Sequence, residues 1–93
     1  MNVTDAIADI LAREGVDHLI GFPSNPLFDD DAAAEAGIRP IVVRQERTGA
    51  HMLDGIARVT SGEQVGAFAC QHGPGTENSV GGIAQAYAES API

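Results

Sequence analysis

Apolar residues recur along the first fourteen positions with the spacing of one helix face. They occupy positions i, i+3, i+4, i+7 and i+8, namely Val3, Ala6, Ile7, Ile10 and Leu11. Asn2 or Thr4 can cap the start of such a helix, and Gly15 suits the left-handed conformation that often follows a helix end. The pattern therefore predicts a helix over residues 3–14.

Three short apolar segments follow, and each is bounded by turn-forming residues. They predict strands over residues 18–22, 39–44 and 64–70. The second strand contains Ile41, Val42 and Val43, a β-branched run that is typical of a sheet covered on both faces. Helices are predicted between and after the strands, over residues 27–36, 47–60 and 77–89, and Pro92 and Ile93 resemble the first step of a fourth strand.

The alternation of helices and strands predicts an α/β fold with a parallel sheet flanked by helices. Right-handed crossovers would connect its strands, as in part of a doubly wound domain. Ligands in such sheets bind outside the carboxyl ends of the strands. Three loops meet that description, at residues 23–26, 45–48 and 71–78, so we expect any binding site there.

Composition limits the classes of function. Ninety-three residues make one small domain, and a net charge of −8 without any lysine argues against nucleic acid as a partner. The single Cys70 cannot form an internal disulfide, and no cluster of Cys and His has metal-site spacing. No apolar run approaches 18 residues and no signal peptide is visible, so we expect a cytoplasmic chain without a membrane partner.

Two segments carry the candidate chemistry. Glu46 comes directly after the second predicted strand, where an acid is commonly a first-turn residue stabilised by the helix dipole. Gly73-Pro74-Gly75 on its own is an ordinary turn, and neither glycine-rich phosphate fingerprint occurs in the chain. Asn78, three residues beyond Gly75, is equally well explained as a helix cap.

Taken together, the two segments resemble the pyrimidine-binding domain of thiamine-diphosphate enzymes, the acetolactate synthase and benzoylformate decarboxylase superfamily. The resemblance begins near Val3 and runs to Ile93, so residues 1–93 look like the N-terminal portion of that domain, truncated partway through the pattern. It rests on the following matching residues: Gln45, Glu46, Ala50, His51, Met52, Asp54, Gly55, Ala57, Arg58, Gly73, Pro74, Gly75 and Asn78.

The resemblance implies roles for particular residues. Glu46 would contact the cofactor's aminopyrimidine and activate it, which calls for a partly desolvated carboxylate. The implied cofactor-binding residues are Pro23, Glu46, Gly73, Pro74, Gly75 and Asn78. Gln71 and His72 depart from the Thr-Ser of acetolactate synthases, and they would bind or protonate the reacting intermediate if they face the pocket; a solvent-exposed loop histidine is the alternative. Ser24, where a glycine is common, leaves the substrate undecided.

The implied function is that of the thiamine-diphosphate-binding portion of a 2-oxo acid carboligase or decarboxylase. The diphosphate and its Mg²⁺ would be held by a domain outside this sequence, so we expect the chain alone to be inactive. The partner would be the rest of the parent enzyme or a second subunit of a homo-oligomer, and glycine-rich helices (Gly49, Gly55, Gly81, Gly82) favour such close packing. Two alternatives remain: a non-catalytic assembly module that retains the fold, and another doubly wound domain that binds a nucleotide or small acid.

Overall fold

A computed structural model describes residues 2–23 and 30–93 of the chain. Helices and strands alternate along it in the predicted order. The elements are α1 (Val3–Arg13), β1 (His18–Gly21), α2 (Asp30–Glu35), β2 (Arg39–Val42), α3 (Glu46–Val59), β3 (Ala67–Ala69) and α4 (Pro74–Ala88).

The three strands form one parallel sheet in the order β2-β1-β3. Ile20 in the central strand is paired with Ile41 on one side and with Phe68 on the other. Each connection between successive strands contains a helix, as parallel pairing requires. The predicted α/β class, a parallel sheet with flanking helices, is therefore confirmed.

The core consists of two apolar clusters, one on each face of the sheet. Successive side chains of a strand point to opposite faces, so Leu19 and Ile20 belong to different clusters. The first cluster contains Val16, Leu19, Ala33 and Ile38, and the second contains Ile20, Val43 and Leu53. Burial on both faces explains the apolar run of β1. Strand β2 is covered less than its β-branched run predicts, since Val42 is 61% exposed.

The ends of α1 follow the sequence closely. The Asn2 side chain accepts a hydrogen bond from the Asp5 amide at 2.9 Å, and the Asp5 carboxylate accepts one from the Asn2 amide at 2.8 Å. This reciprocal capping box satisfies two amides that the helix itself leaves unpaired. Gly15 has φ +85°, the predicted left-handed conformation beyond the helix end.

Helices α3 and α4 pack directly against each other. We call this surface the α3–α4 seam; it contains Glu46 and Ala50 on α3 and Asn78 and Gly82 on α4. A Cβ atom on Gly82 would collide with the Ala50 Cβ and would lie 3.1 Å from the His51 backbone nitrogen. A Cβ atom on Gly49 would likewise lie 2.8 Å from the Phe68 ring. These two predicted close approaches are therefore made within the chain, whereas a Cβ on Gly55 would meet nothing within 4 Å.

Most boundaries lie within one or two residues of the predictions, and the larger differences are the following. Helix α4 begins at Pro74 rather than at residue 77, because proline is favoured at the first helical position, where an amide donor is not needed. Strand β3 covers only Ala67–Ala69 instead of residues 64–70, since it pairs with β1 over three residues alone. Residues 91–93 have no strand assignment, and the part of the predicted second helix at residues 27–29 lies outside the described residues.

In the two described ranges, no helix is both long enough and apolar enough to cross a membrane.

Candidate functional site

Glu46 lies where β2 gives way to α3. Strand β2 ends at Val42, and the next amide, that of Val43, still donates to the Gly21 carbonyl at 2.9 Å. Two further residues bend the chain, and Glu46 is the first residue of α3, with a half-buried side chain. Its carboxylate is therefore held at the carboxyl end of the sheet and at the positive end of a helix dipole.

The start of α4 rests against the same carboxylate. Gly73 has φ +76°, which favours glycine, and it forms the turn from which Pro74 opens the helix. Gly75 is buried, and a Cβ atom at this position would lie 3.3 Å from Glu46 Oε1 and 3.2 Å from the Gln71 Cβ. The absence of a side chain at Gly75 thus leaves room for the Glu46 carboxylate.

Asn78 connects the two segments directly. Its Nδ2 donates a hydrogen bond to Glu46 Oε2 at 3.1 Å, across 32 residues of sequence. Asn78 lies inside α4, whose N-cap is Gly73. The helix-capping interpretation of Asn78 is therefore wrong, because its side-chain amide donates to a carboxylate on α3 and does not cap the N-terminus of α4.

The remaining predicted site residues lie around this contact. Gln71 is half-buried beside Gly75, and its carbonyl accepts a hydrogen bond from the Thr76 amide at 3.0 Å. His72 is exposed in the turn before α4, and Pro23 is exposed just beyond β1. Within the described ranges, neither forms a side-chain hydrogen bond to Glu46. The structure thus brings Glu46, Gln71 and Gly75 together with Asn78, while His72 and Pro23 stay at the periphery.

Sequence reasoning missed the internal bracing of the turn that carries Gly75. The Thr76 hydroxyl lies 3.4 Å from the Gln71 carbonyl and 3.9 Å from the Cys70 sulfur. One turn further on, the buried Ser79 hydroxyl donates to the Thr76 carbonyl at 2.7 Å. The signal in the sequence is the presence of two hydroxyl residues, Thr76 and Ser79, near a helix start, which more often indicates capping.

The Glu46 carboxylate is held in place by its protein neighbours. One carboxylate oxygen of Glu46 is held by an amide donor, and the other lies against a glycine that offers no side chain. Across residues 2–23 and 30–93, no group of three or more His, Cys, Asp or Glu side chains is placed to hold a metal ion.

Comparison with known proteins finds one family that matches the whole chain. The family described as "Thiamine pyrophosphate enzyme, N-terminal TPP binding domain" matches residues 1–93. The acetolactate synthase of Arthrospira platensis is 42% identical over 93 residues, covering 95% of this chain and 16% of that protein. The acetolactate synthase isozyme 3 large subunit of Escherichia coli (strain K12) is 38% identical over 85 residues, covering 89% of this chain and 14% of that protein.

An archaeal relative extends the similarity to the full length of the chain. The probable acetolactate synthase large subunit of Methanocaldococcus jannaschii is 39% identical over 94 residues, covering 100% of this chain and 16% of that protein. The chain therefore spans about a sixth of the length of the relatives it matches.

Proposed function

Because the chain belongs to the family of N-terminal TPP-binding domains of thiamine pyrophosphate enzymes, we propose that it binds the pyrimidine end of thiamine diphosphate. The parent enzyme would be a 2-oxo acid carboligase or decarboxylase similar to acetolactate synthase. The observation that carries this proposal is the convergence on one carboxylate. Glu46, Gly75 and Asn78 come from two helices, yet all three meet at the carboxyl end of the sheet.

The residues present fit an aminopyrimidine. Such a ring offers a nitrogen that can share a proton with a carboxylate oxygen, and Glu46 Oε1 is the oxygen that Asn78 does not hold. Oε1 lies close to the buried Gly75, where an added side chain would crowd the carboxylate. Gly73 and Pro74 would form the adjoining wall, and Pro23 would approach from the neighbouring loop.

The chemistry of the bound cofactor is that of a nucleophilic thiazolium carbon. The role of this chain is to hold and share a proton at Glu46 Oε1, and so to activate the aminopyrimidine. The half-buried position of Glu46 supports that role, since a partly desolvated carboxylate interacts more strongly with a hydrogen-bonding partner. Gln71 and His72 would bind or protonate the reacting intermediate from the same end of the sheet.

The rest of the active site would come from residues outside this sequence. We expect Mg²⁺ and the diphosphate to be held by another domain, because the described residues contain no group of metal ligands. That domain would belong to the rest of a parent enzyme or to a second subunit in a cytoplasmic homo-oligomer. The 2-oxo acid substrate would be selected there and around Gln71.

A chimeric enzyme tests the proposal. Residues 1–93 would replace the matching segment of the Escherichia coli isozyme 3 large subunit, and turnover of a 2-oxo acid would be compared for Glu46→Gln and Glu77→Gln. Both substitutions remove a carboxylate from the first turn of a helix, but only Glu46 lies in the site. We expect Glu46→Gln to lower turnover by about a hundredfold or more, the scale of lost acid–base catalysis.

The control variant, Glu77→Gln, should stay close to the unsubstituted chimera. Equal turnover in the two variants would refute the role of Glu46. An assembled, cofactor-saturated chimera without any turnover would argue against the proposed function itself and would favour a module that retains only the fold.

A further inference from the structure

The hydrogen bond between Asn78 and Glu46 assigns Asn78 a role that differs from direct cofactor binding. We infer that Asn78 is a positioning residue, which acts on the cofactor only through the Glu46 carboxylate. This inference rests on the proposed function of Glu46. Its structural basis is the 3.1 Å bond from Asn78 Nδ2 to Glu46 Oε2.

The two oxygens of Glu46 have different surroundings. Oε2 accepts the amide hydrogen of Asn78, while Oε1 lies beside the bare Cα of Gly75. A glutamate side chain has three rotatable bonds, so an unrestrained carboxylate would sample several orientations. Asn78 restrains Oε2 and thereby fixes the position of Oε1 next to Gly75. Such restraint matters because activation depends on correct orientation of the reacting groups.

The α3–α4 seam sets the register of this bond. Ala50 lies four residues after Glu46 on α3, and Gly82 lies four residues after Asn78 on α4. Residues four apart lie one above the other on a helix, so the contact of Ala50 with Gly82 is the next step along the same seam. Close approach at Gly82 thus brings Asn78 within reach of Glu46.

The first test observes the bond in the full 93-residue chain by NMR. The side-chain amide signals of Asn78 should move in Glu46→Gln, because this substitution replaces a charged hydrogen-bond acceptor by a neutral one. Glu77→Gln, which removes the neighbouring carboxylate, should move them much less. Asn78 amide signals that ignore Glu46→Gln would overturn the inference, whatever the activity of the enzyme.

The second test is a double-mutant cycle in the same chimeric enzyme. We expect Asn78→Ala to lower turnover by about tenfold, the scale of one lost hydrogen bond to a charged group. In the Glu46→Gln background the same substitution should have almost no further effect, because Asn78 then has no carboxylate to orient. Gln85→Ala, which removes an exposed amide side chain further along α4, is the matched control and should leave turnover unchanged.

The outcomes separate the two proposals. If Asn78→Ala lowers turnover by the same factor with and without Glu46, then Asn78 acts independently and the positioning role is wrong. If Asn78→Ala leaves turnover unchanged while Glu46→Gln lowers it steeply, the positioning role is again wrong but the proposed function stands. If Glu46→Gln has no effect on turnover but does move the Asn78 amide signals, the hydrogen bond exists and the proposed function is wrong.

Discussion

Two adjacent glycines on α4 allow the packing of the α3–α4 seam to be measured. Gly82 faces α3 and is buried, whereas Gly81 is exposed. We expect Gly82→Ala to lower the stability of the fold and Gly81→Ala to raise it. Both substitutions add the same methyl group to the middle of the same helix, so their difference reports the surroundings of that group.

The magnitude follows from two opposing terms. Replacing glycine by alanine inside a helix stabilises it by about 1 kcal/mol, and this term is common to both variants. At Gly82 the new Cβ would collide with the Ala50 Cβ and lie 3.1 Å from the His51 nitrogen, and backbone atoms cannot move aside cheaply. Overpacking of this kind costs about 1–3 kcal/mol. At Gly81 the nearest atom is Arg47 Nε at 3.6 Å, an ordinary contact with a flexible side chain.

The assay is urea unfolding of the 93-residue chain followed by circular dichroism. The two variants should differ by about 1–3 kcal/mol in the free energy of unfolding, which separates their midpoints by about 1 M urea or more at an m-value near 1 kcal/mol/M. A fixed concentration of a stabilising osmolyte can be added to all samples if the native baseline is short. Equal stabilisation by both substitutions would show that α4 does not pack on α3 through Gly82.

Four further outcomes are expected. Asn2→Ala removes the capping box of α1 and should cost about 1 kcal/mol in the same unfolding assay. Leu53→Ala empties a fully buried position and should cost about 2–5 kcal/mol, enough to unfold much of the chain. Calorimetry with thiamine diphosphate and Mg²⁺ should detect weak binding or none, and tight metal-dependent binding would show that the cofactor site is misassigned. Light scattering should reveal concentration-dependent association, because Val59 and Tyr87 are 84% and 87% exposed; a monomer at all concentrations would contradict it.

The parallel sheet, and the meeting of the two candidate segments at one of its edges, could be predicted because they depend on local patterns. A β-branched run such as Ile41 to Val43 predicts a strand, although Val42 in that strand is 61% exposed, and alternation with helices favours parallel pairing. The segments that follow parallel strands then lie at one edge of the sheet, which is where Glu46 and Gly75 meet. The fold class, and the edge of the sheet at which the two candidate segments meet, therefore follow from local patterns in one sequence.

The details that could not be predicted depend on tertiary contacts. The start of α4 at Pro74 was missed because Gly-Pro-Gly is also a common turn, and the turn interpretation hid the helix-starting preference of proline. The partner of Asn78 was missed for a different reason: no local rule connects residues that are 32 positions apart. Only the packing of two helices brings that amide to Glu46.

Stability and site geometry are coupled in this chain because both depend on the same helix contact. Gly82 admits the close approach of α3 and α4, and one helical turn earlier the same approach allows Asn78 to hold Glu46. A substitution that separates the helices should therefore weaken the fold and release the carboxylate together. A substitution at an exposed position such as Gly81 can change stability without that effect, because the added side chain makes only an ordinary contact with Arg47. The small residues along the seam therefore allow both the close packing of the two helices and the hydrogen bond that holds the Glu46 carboxylate.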